Sequence, residues 1–318
     1  MDINYHNKLK EAFIERKIEN SKHIVEQAQI IDISKPIKNN YGTALGMMIS
    51  IDNSNIFVMP GVPREMKGMM NDYIIPTYIS NKYKKTVNCT TILTTGIYES
   101  KLANILKDVI EENKNFKVAF LPDYTGVKLR LSIGGKNIRE KDLFDFKDKI
   151  VSKINKYVYG YNNDKLENIV AEILSKKKLS ISIAESCTGG YLSKVLTDIP
   201  GSSKYFNGSV VAYSNDVKEN ILNIDKVLLK KYGAVSKQVA LEMAQSIKTI
   251  FKTDIGVSTT GISGPGGGSA DKPVGTIYIC IIYKEKKIIK KFHLIQDRDI
   301  HRKVAVQVAL NIIRLSII

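Results

Sequence analysis

The feature that most constrains the fold is the alternation of strand-like and helix-like segments through residues 161–318. A β-branched run, Ile181-Ser182-Ile183, leads into a predicted helix from about Gly190 to Thr197, and further strands and helices follow in turn. Near the end, GTIYICIIY and KIIKKFHLI form a predicted hairpin around Lys284-Glu285-Lys286. Such alternation is typical of a layered α/β domain. We predict a mixed sheet, whose strand order the pattern does not give.

Helix boundaries in this region are predicted from capping residues. Asp164 is the predicted N-cap of one helix, with Glu167 three residues later completing a capping box. Ser236 is the predicted cap of a second helix, and Asp299 is the predicted start of the terminal helix. The terminal helix is predicted to carry one apolar face, formed by Val304, Val308, Ile312 and Leu315.

Residues 86–160 show the order β-α-β-β-α-β. TVNCTTILTT is a predicted strand, Ser100 to Glu112 is a predicted helix, and FKVAFL and GVKLRLSI are two further strands. A second helix over about 140–156 and a short strand, VYGY, complete the order. This order predicts a small split-βαβ domain.

Residues 1–85 contain a predicted helix over about 7–29 and two paired strands, ISI and IFVM, with a turn at Asp52-Asn53-Ser54-Asn55. A further helix is predicted from Arg64 to Met70. These strands are too few to close a core alone. A chain of 318 residues is long enough for two or three domains, and we divide it into 1–85, 86–160 and 161–318.

Composition argues against several classes of protein. No window approaches the ~18 continuous apolar residues of a membrane span, and the polar first residues are not typical of a signal peptide. Cys89, Cys187 and Cys280 lie far apart without a C-x-x-C spacing, which argues against a disulfide framework or a zinc site. We expect a cytoplasmic protein that does not act at a membrane and needs no metal.

The net charge of +16 raises the question of nucleic-acid binding. Only seven of the 48 basic residues are arginine, the lysines are spread along the chain, and tryptophan is absent. Surfaces that track phosphates usually combine clustered arginine with stacking aromatic side chains. We therefore disfavour a nucleic acid as the main partner.

The segment AESCTGG (184–190) is the first candidate for chemistry. Small residues and two glycines at the carboxyl end of a strand allow backbone N–H groups to face an anion, and the next helix adds its positive end. Ser186 or Cys187 would be a nucleophile beside such an oxyanion site. A capped strand-to-helix turn without chemistry explains the same residues, and spacing alone does not decide between the two.

A nucleophilic serine needs a base, and the residues alone leave its identity open. A lysine can serve if burial lowers its pKa, and Lys218 follows a buried-looking strand together with Tyr213. A solvated lysine at a helix start is the alternative. None of the four histidines has a clear acidic partner, so each is interpreted as a solvated or packing residue: His6, His23, His293 and His301.

The glycine-rich loop VSTTGISGPGGGSADKPVGT (257–276) is the second candidate. Its glycines, together with Thr259, Thr260 and Ser263, suit a phosphate or a carboxylate. It matches neither G-x-x-x-x-G-K-[ST] nor G-x-G-x-x-G, so the fingerprints of ATP and dinucleotide sites are absent. A mobile loop is the alternative, but the density of glycine and hydroxyl groups favours ligand contact.

Several motifs follow one another in a fixed order: AESCTGG (184–190), GSVVAYSNDVK (208–218), TGISGPGGG (260–268), KPVGT (272–276) and D-R-x-x-x-R (297–302). Together they resemble the carboxyl-terminal domain of the CinA family, a nicotinamide-nucleotide amidase, over essentially all of residues 161–318. NNYGTALG and MPGVPREM resemble the end of the family's molybdopterin-binding-like amino-terminal domain. Residues 86–160 resemble its KH-type middle domain.

The resemblance implies hydrolysis of the carboxamide of nicotinamide mononucleotide, giving nicotinate mononucleotide and ammonia without a cofactor. It implies Ser186 as the nucleophile, Lys218 as its general base and Tyr213 as a partner in the proton network. Either Arg298 or Arg302 would meet the phosphate. The implied substrate contacts are Thr188, Gly189, Gly190, Thr260, Gly261, Ser263, Gly264, Gly266, Gly267, Arg298 and Arg302.

The chain departs from the family pattern at its beginning. Family members normally start with a longer portion that includes a GDE-type strand end and a GGLGPT-like loop, and Leu45 stands where the family usually has proline. We expect the metal-dependent ADP-ribose pyrophosphatase activity attributed to that portion to be absent. We also expect exposed apolar surface that a homo-oligomer, such as a dimer, would cover.

Two other functions stay open. A non-catalytic nucleotide-binding protein of the same family would bind the mononucleotide without releasing ammonia. A basic competence protein associated with nucleic acid is suggested by the charge and the KH-like region, but SIGGKN has Gly134-Gly135 without a G-x-x-G loop. The amidase is the function that we predict.

Overall fold

The computed structural model of the chain describes residues 29–80, 89–133 and 139–318. The chain divides into two compact units, residues 1–86 and 87–318. The predicted helix over 7–29, apart from its last residue, and the Gly134-Gly135 pair lie outside the described residues. Among the helices of the described ranges, none is long and apolar enough to cross a membrane.

The first unit contains a three-stranded antiparallel sheet in the order β1-β2-β3. Its strands are β1 (Ser34–Ile37), β2 (Gly46–Ile51) and β3 (Ser54–Val58). Helix α1 (Pro63–Met69) and a π-helical segment (Met70–Ser80) follow. The β2–β3 hairpin and α1 confirm the prediction, whereas β1 was missed because its sequence, SKPI, has only one β-branched side chain. The buried side chains of this unit include Ile37, Met48, Met69 and Ile74.

The second unit begins with the predicted β-α-β-β-α-β order, which the structure confirms. The four strands form an antiparallel sheet in the order β5-β6-β4-β7, and the two helices bury Leu102, Leu106, Phe146 and Ile150 in its core. The elements are β4 (Cys89–Thr94), α2 (Glu99–Glu112), β5 (Phe116–Asp123), β6 (Gly126–Ile133), α3 (Glu140–Ile154) and β7 (Val158–Tyr161).

The rest of the second unit is a layered α/β structure around a five-stranded sheet in the order β12-β11-β10-β8-β9. Strands β10, β8 and β9 run parallel, and β11 and β12 run antiparallel to their neighbours, so the predicted mixed sheet is confirmed. The elements are α4 (Leu166–Lys176), β8 (Ile181–Glu185), α5 (Tyr191–Thr197), β9 (Phe206–Val211), α6 (Asn215–Asn220), α7 (Lys226–Tyr232), α8 (Lys237–Phe251), β10 (Ile255–Gly261), β11 (Thr276–Tyr283), β12 (Lys286–His293) and α9 (Arg298–Ile317).

Both faces of this sheet are covered by helices. Successive side chains of a strand point to opposite faces, and in β11 Ile279 and Ile281 join one core cluster while Cys280 and Ile282 join another. Helices α4, α5 and α9 pack on the first face, and α8 packs on the second. The central strands β8, β10 and β11 are therefore covered on both faces, whereas the edge strand β12 is partly exposed.

The capping residues were predicted with mixed success. Ser236 caps α8 as predicted, since its Oγ accepts a hydrogen bond from Val239 N over 3.3 Å. The prediction that Asp164 forms a capping box is wrong. Helix α4 begins at Leu166, and the Asp164 carboxylate accepts a hydrogen bond from Tyr161 N over 2.8 Å. A carboxylate before a helix can also bond backward to the preceding turn, and the sequence pattern does not distinguish the two.

Helix α9 starts earlier than predicted, and more of its surface is buried than the predicted apolar face. Its N-cap is Asp297, whose Oδ1 accepts from Ile300 N over 2.9 Å, so Asp299 lies inside the first turn. The side chains buried against the sheet are Ala305, Ala309 and Ile313. Of the predicted face, Ile312 belongs to the same buried cluster and Val308 packs against it, and Val308, Ile312 and Leu315 also border a cavity with the segments that follow β4 and precede β7.

The last turn of α9 is tied to the neighbouring sheet by an arginine. Arg314 is buried, and its guanidinium donates to the carbonyl of Val158 over 2.7 Å and to that of Lys156 over 3.1 Å. A charged group that leaves water needs such hydrogen bonds. They hold the last turn of α9 against the backbone at the start of β7.

Candidate active site

The parallel strands place three segments at one edge of the mixed sheet. Strand β8 lies between β9 and β10, and the chain runs from β8 first to β9 on one side and later to β10 on the other. In open α/β sheets, ligands bind outside the carboxyl ends of the strands at such a switch point. Ser186 directly follows β8, Thr260 and Gly261 end β10, and the segment 212–218 follows β9.

A cavity of about 270 Å³ opens at this edge. Its wall combines the segments that follow β8, β9 and β10 with the loop between α7 and α8 and the first turn of α9. The lining residues are Ser186, Cys187, Tyr213, Lys218, Ala234, Val235, Thr260, Gly261, Ile262, Ser263, Gly264, Gly266, Gly267 and Arg298. This wall carries the guanidinium of Arg298, the amine of Lys218 and no carboxylate, so it suits an anionic ligand.

Ser186 and Lys218 meet inside the cavity. The Lys218 Nζ lies 3.3 Å from Ser186 Oγ and donates a hydrogen bond to the Ala212 carbonyl over 2.6 Å. The lysine lies on α6, which begins where Ser214 Oγ accepts from Val217 N. Because α6 follows β9 at once, its first turn carries the lysine side chain back over the end of β8.

The environment of Lys218 favours its neutral form. The side chain is only 1% exposed, and burial lowers its pKa below the ordinary 10.5 because loss of water penalises the ammonium. A lysine that gives up its proton more readily can accept one from a neighbouring hydroxyl. The pair therefore joins a hydroxyl to a base, as a nucleophilic serine requires.

Burial makes the thiol of Cys187, the residue next to Ser186, less reactive. Cys187 is buried, and burial raises its pKa to about 12. The thiolate is the nucleophilic form of cysteine, and a thiol with such a pKa stays protonated near pH 7. Of the two candidate nucleophiles in the sequence, the environment favours Ser186.

Backbone hydrogen bonds hold the turn after β8. Ser186 N donates to the Thr259 carbonyl over 2.9 Å, and Gly189 N donates to the Ser186 carbonyl over 3.1 Å. Gly189 has a φ of +58°, which favours glycine. In this described segment, the N–H groups of Cys187 and Thr188 make no hydrogen bond to another residue. These two groups, rather than the Ser186 N–H, are available to an oxyanion.

The positive end of helix α5 is occupied by a side chain of the protein itself. Glu185, fully buried at the end of β8, accepts hydrogen bonds from Leu192 N over 3.2 Å, from Ser193 N over 2.8 Å and from the Ser193 hydroxyl. A carboxylate there satisfies N–H groups that otherwise lack partners. The prediction that this helix end faces a bound anion is therefore wrong.

The two arginines near the start of α9 have different surroundings. Arg298 lines the cavity and donates to the Gly264 carbonyl over 2.9 Å and to the Tyr213 hydroxyl over 3.0 Å. Arg302 is not part of the cavity wall and donates twice to the Thr188 carbonyl, over 3.1 and 2.8 Å. Arg298 can therefore reach an anion in the cavity, whereas Arg302 braces the turn after β8.

Tyr213 makes one contact through its side chain and another through its backbone. Its hydroxyl accepts from Arg298, and its backbone carbonyl lies 3.4 Å from Lys218 Nζ. Within the described part of the chain, no hydrogen bond joins the hydroxyl to Ser186. The side chain is 60% exposed. A role for Tyr213 in proton transfer stays a prediction.

Most of the predicted substrate contacts line the cavity. Those in the wall are Thr260, Gly261, Ser263, Gly264, Gly266, Gly267 and Arg298. The others, Thr188, Gly189, Gly190 and Arg302, are absent from the wall and belong to the turn and its brace. The Thr260 hydroxyl is already committed, because it donates to the Ala234 carbonyl over 2.8 Å.

Sequence reasoning missed three apolar residues of the wall: Ala234, Val235 and Ile262. Ala234 and Val235 directly precede the Ser236 cap of α8. The Ser236 cap could have identified these two residues. Helix α8 precedes the parallel strand β10, so the loop that leads into α8 lies at the carboxyl edge of the sheet. Ile262 lies inside the glycine-rich loop, where no local pattern distinguishes it.

No group of three or more His, Cys, Asp or Glu side chains among the described residues is arranged to hold a metal ion. The expectations that the protein needs no metal and no cofactor, and that it forms a homo-oligomer, stay predictions. The side chains that the cavity offers are hydroxyl, amine, thiol and guanidinium groups. Such groups can attack, transfer protons and bind anions.

Comparison with known proteins gives a consistent result along the second unit. Residues 163–317 match the family model of the CinA C-terminal domain, and residues 90–160 match that of the damage-inducible protein CinA KH domain. A putative competence-damage inducible protein of Thermoanaerobacter pseudethanolicus is 39% identical over 291 residues, which are 91% of this chain and 70% of that protein.

Two further proteins are similar to this chain. A CinA-like protein of Dictyoglomus thermophilum is 36% identical over 313 residues, which are 98% of this chain and 76% of that protein. The crystal structure of the competence/damage inducible protein CihA from Agrobacterium tumefaciens shares 34% identity, with a TM-score of 0.46, over 47% of this chain and 92% of that one.

Proposed function

The chain belongs to the CinA family, and we propose that residues 161–318 hydrolyse the carboxamide of nicotinamide mononucleotide to nicotinate mononucleotide and ammonia. The observation that carries this proposal is the 3.3 Å approach of Lys218 Nζ to Ser186 Oγ inside the cavity, with the lysine buried and its pKa lowered. The nature of the substrate comes from the motif resemblance, and the positive cavity wall supports it.

In the proposed reaction, neutral Lys218 takes the proton of Ser186 Oγ while this oxygen attacks the carboxamide carbon. The resulting tetrahedral intermediate collapses when Lys218 returns the proton to the amide nitrogen, which leaves as ammonia. An ester on Ser186 remains. A water molecule then gives a proton to Lys218 and attacks the ester carbon. Lys218 passes this proton to Ser186 Oγ as the ester bond breaks, and the released acid loses its remaining proton to solvent and leaves as the carboxylate.

Negative charge develops on the amide oxygen during both attacks. The N–H groups of Cys187 and Thr188 donate to no other residue, and we assign them to this oxygen. Donors fixed in place before the reaction stabilise such an oxyanion strongly, and loss of one typically costs about 100- to 1,000-fold in rate. The braced turn keeps these donors in position beside the nucleophile.

The phosphate of the nucleotide is proposed to bind Arg298. This arginine lines the cavity with neutral partners, a carbonyl and a hydroxyl, which an anion can replace. Guanidinium groups bind phosphate through paired hydrogen bonds. Gly266 and Gly267 of the same wall can add backbone N–H groups.

Ammonia release from nicotinamide mononucleotide by the purified full chain, without added metal, tests the proposal. We expect turnover by the wild type, and loss of at least about 1,000-fold in Ser186→Ala with the fold intact by circular dichroism. Ser258→Ala is the matched control, because Ser258 is a buried serine of β10 outside the cavity wall. Turnover retained in Ser186→Ala would overturn the mechanism, and binding without ammonia release would favour the non-catalytic alternative.

A further inference from the structure

A second cavity, of about 330 Å³, lies along the second half of helix α9, whereas the candidate active site lies at its first turn. Segments that follow β4 and precede β7 form one part of its wall, and β12 and α9 form the rest. The lining residues are Thr95, Gly96, Lys156, Tyr157, Lys290, Phe292, Val308, Asn311, Ile312 and Leu315. The two walls share no residue, and the proposed reaction gives this second cavity no part.

Helix α9 presents an apolar stripe with one polar side chain to this second cavity. Its four lining residues follow the i, i+3, i+4, i+7 spacing of a single helix face, and three of them are apolar. The fourth is Asn311. Strand β12 and the short helical turn before β7 each add an aromatic ring, Phe292 and Tyr157. Apolar and aromatic walls with a few polar groups are typical of small-molecule sites.

The amide of Asn311 is held in one orientation by Arg314. The guanidinium donates to Asn311 Oδ1 from Nε over 3.2 Å and from a terminal nitrogen over 3.0 Å. The amide nitrogen Nδ2 is therefore the end that Arg314 does not occupy, and within the described ranges it donates to no other residue. A Cβ built on Gly96 would lie only 3.3 Å from Nδ2, so the glycine leaves the space beside this donor open. The Nδ2 hydrogens can therefore bind an oxygen of a ligand.

The charged groups of the second cavity are positive. Lys156 and Lys290 are part of the wall, and no carboxylate is found among its described lining residues. The Lys156 ammonium lies 4.9 Å from the centroid of the Tyr157 ring, so the wall places a cation beside an aromatic face. Two ammonium groups and a fixed amide donor complement an anionic group.

We propose that this second cavity binds a small aromatic carboxylate. The ring of the ligand packs against the aromatic and apolar side chains, and its carboxylate accepts hydrogen bonds from Asn311 Nδ2 and from the lysines. The cavity volume is at the lower end of the range of ligand sites, which favours a molecule with a single ring. The site does not depend on the amidase function.

Titration of the full chain with 4-fluorobenzoate, followed by ¹⁹F NMR, tests the site. We expect saturable binding, and we expect 4-fluorobenzamide, which has the same ring without the charge, to bind at least about tenfold more weakly. Benzoate is expected to displace the probe at an about two- to tenfold lower concentration than cyclohexanecarboxylate, because it can stack on the aromatic rings. No saturable binding at millimolar probe, equal affinity for acid and amide, or equal displacement by the two acids would overturn the proposal.

The variant Asn311→Asp separates ligand binding from the support of Arg314. The aspartate keeps an acceptor for the guanidinium but replaces Nδ2 by an oxygen, which repels a carboxylate. We expect the affinity for 4-fluorobenzoate to fall at least about tenfold, with the fold intact by circular dichroism. An unchanged affinity in the folded variant would overturn the proposal.

A pair of lysine variants provides a second measurement, which decides if Asn311→Asp does not fold. Lys290→Met removes an exposed charge from the wall, and we expect the affinity for 4-fluorobenzoate to fall about two- to fivefold. Lys291→Met is the matched control, because neighbouring residues of a strand point to opposite faces and the Lys291 ammonium lies over the Tyr278 ring. Equal losses in the two variants would reflect net charge alone and would overturn the proposal.

Binding of the probe at the candidate active site is distinguished by Arg298→Ala. Arg298 does not line the second cavity, so we expect the affinity for 4-fluorobenzoate to be unchanged in this variant. Lost binding in Arg298→Ala together with normal binding in Asn311→Asp would assign the probe to the active-site cavity and overturn the proposal. Ammonia release is not used in these titrations, so this proposal and the amidase proposal can fail separately.

Discussion

The turn after β8 and the glycine-rich loop after β10 border the same cavity and are built in opposite ways. In the turn, the N–H groups of Ser186 and Gly189 donate to carbonyls, and Arg302 holds a third carbonyl from outside. In the loop, Gly266 and Gly267 are exposed, and their N–H groups have no hydrogen-bond partner in the described ranges. In the proposed reaction, the turn fixes the nucleophile and its oxyanion donors, whereas the loop offers donors to the phosphate.

This comparison divides the cavity into a reacting side, which contains Ser186 and Lys218, and a binding side, which contains the glycine-rich loop and Arg298. The largest effect is expected on the reacting side. Lys218→Met keeps a long buried side chain but removes the base. We expect kcat to fall at least about 1,000-fold, with little change in the affinity for nicotinamide mononucleotide. Steady-state ammonia release and calorimetry measure the two quantities. Lys230→Met, at an exposed lysine of α7, is the control and is expected to act like the wild type.

The second largest effect is expected on the binding side. Arg298→Ala removes the guanidinium that lines the cavity, and we expect kcat/KM for the mononucleotide to fall about 10- to 100-fold, as for a charge-assisted hydrogen bond. Nicotinamide riboside, which lacks the phosphate, is expected to react equally with wild type and Arg298→Ala. Arg302→Ala is expected to lower kcat for both substrates, because it loosens the turn. Equal losses on both substrates in Arg298→Ala would contradict the division.

Two glycine substitutions compare the stability of the two segments directly. Gly189 has a φ of +58°, so an alanine there is forced into the left-handed region, and we expect a loss of about 1–2 kcal/mol in the free energy of unfolding. Gly266→Ala adds a methyl group with no heavy atom within 4 Å, and we expect a change within about 0.5 kcal/mol. Urea denaturation followed by circular dichroism measures both. Equal losses would show that the loop is held as firmly as the turn.

The smallest effect is the pH dependence of stability that Lys218 contributes. Its pKa is below 10.5 in the folded state, so between the folded and unfolded pKa values the unfolded chain binds more protons. The free energy of unfolding therefore rises with pH across that window, by at most about 1.4 kcal/mol per pH unit. Below the folded pKa the destabilisation is fully present. Lys218→Met is expected to lose this part of the slope in urea denaturation at several pH values, and an unchanged slope would contradict the argument.

Local sequence patterns predicted most strands and helices of 86–160 and 161–318, because these depend on the spacing of apolar side chains, but helix α7 (Lys226–Tyr232) was missed. Ser236 was predicted correctly as a cap because its partner, Val239 N, lies in the same helix. Asp164 failed because its partner, Tyr161 N, precedes it. Arg314 could not be predicted as a buried group, since its acceptors lie far back in the chain.

The candidate site was only partly within reach of such patterns. Ser186 and Lys218 are 32 positions apart and meet because β8 and β9 are parallel neighbours, which no local pattern gives. Their pairing was expected only from the motif resemblance. Glu185 shows the opposite outcome. The motif predicted a helix end free to face an anion, but the Glu185 carboxylate occupies that end itself.

Helix α9 acts as a strut between two parts of the second unit. With 20 residues it is about 30 Å long. One end carries Arg298 and Arg302 at the cavity, and the other end is anchored through Arg314 to the carbonyls beside β7. Removal of residues 89–160 would take away these carbonyls and release that end of the helix. The site would lose stiffness at a distance, although no residue of the cavity wall had been removed.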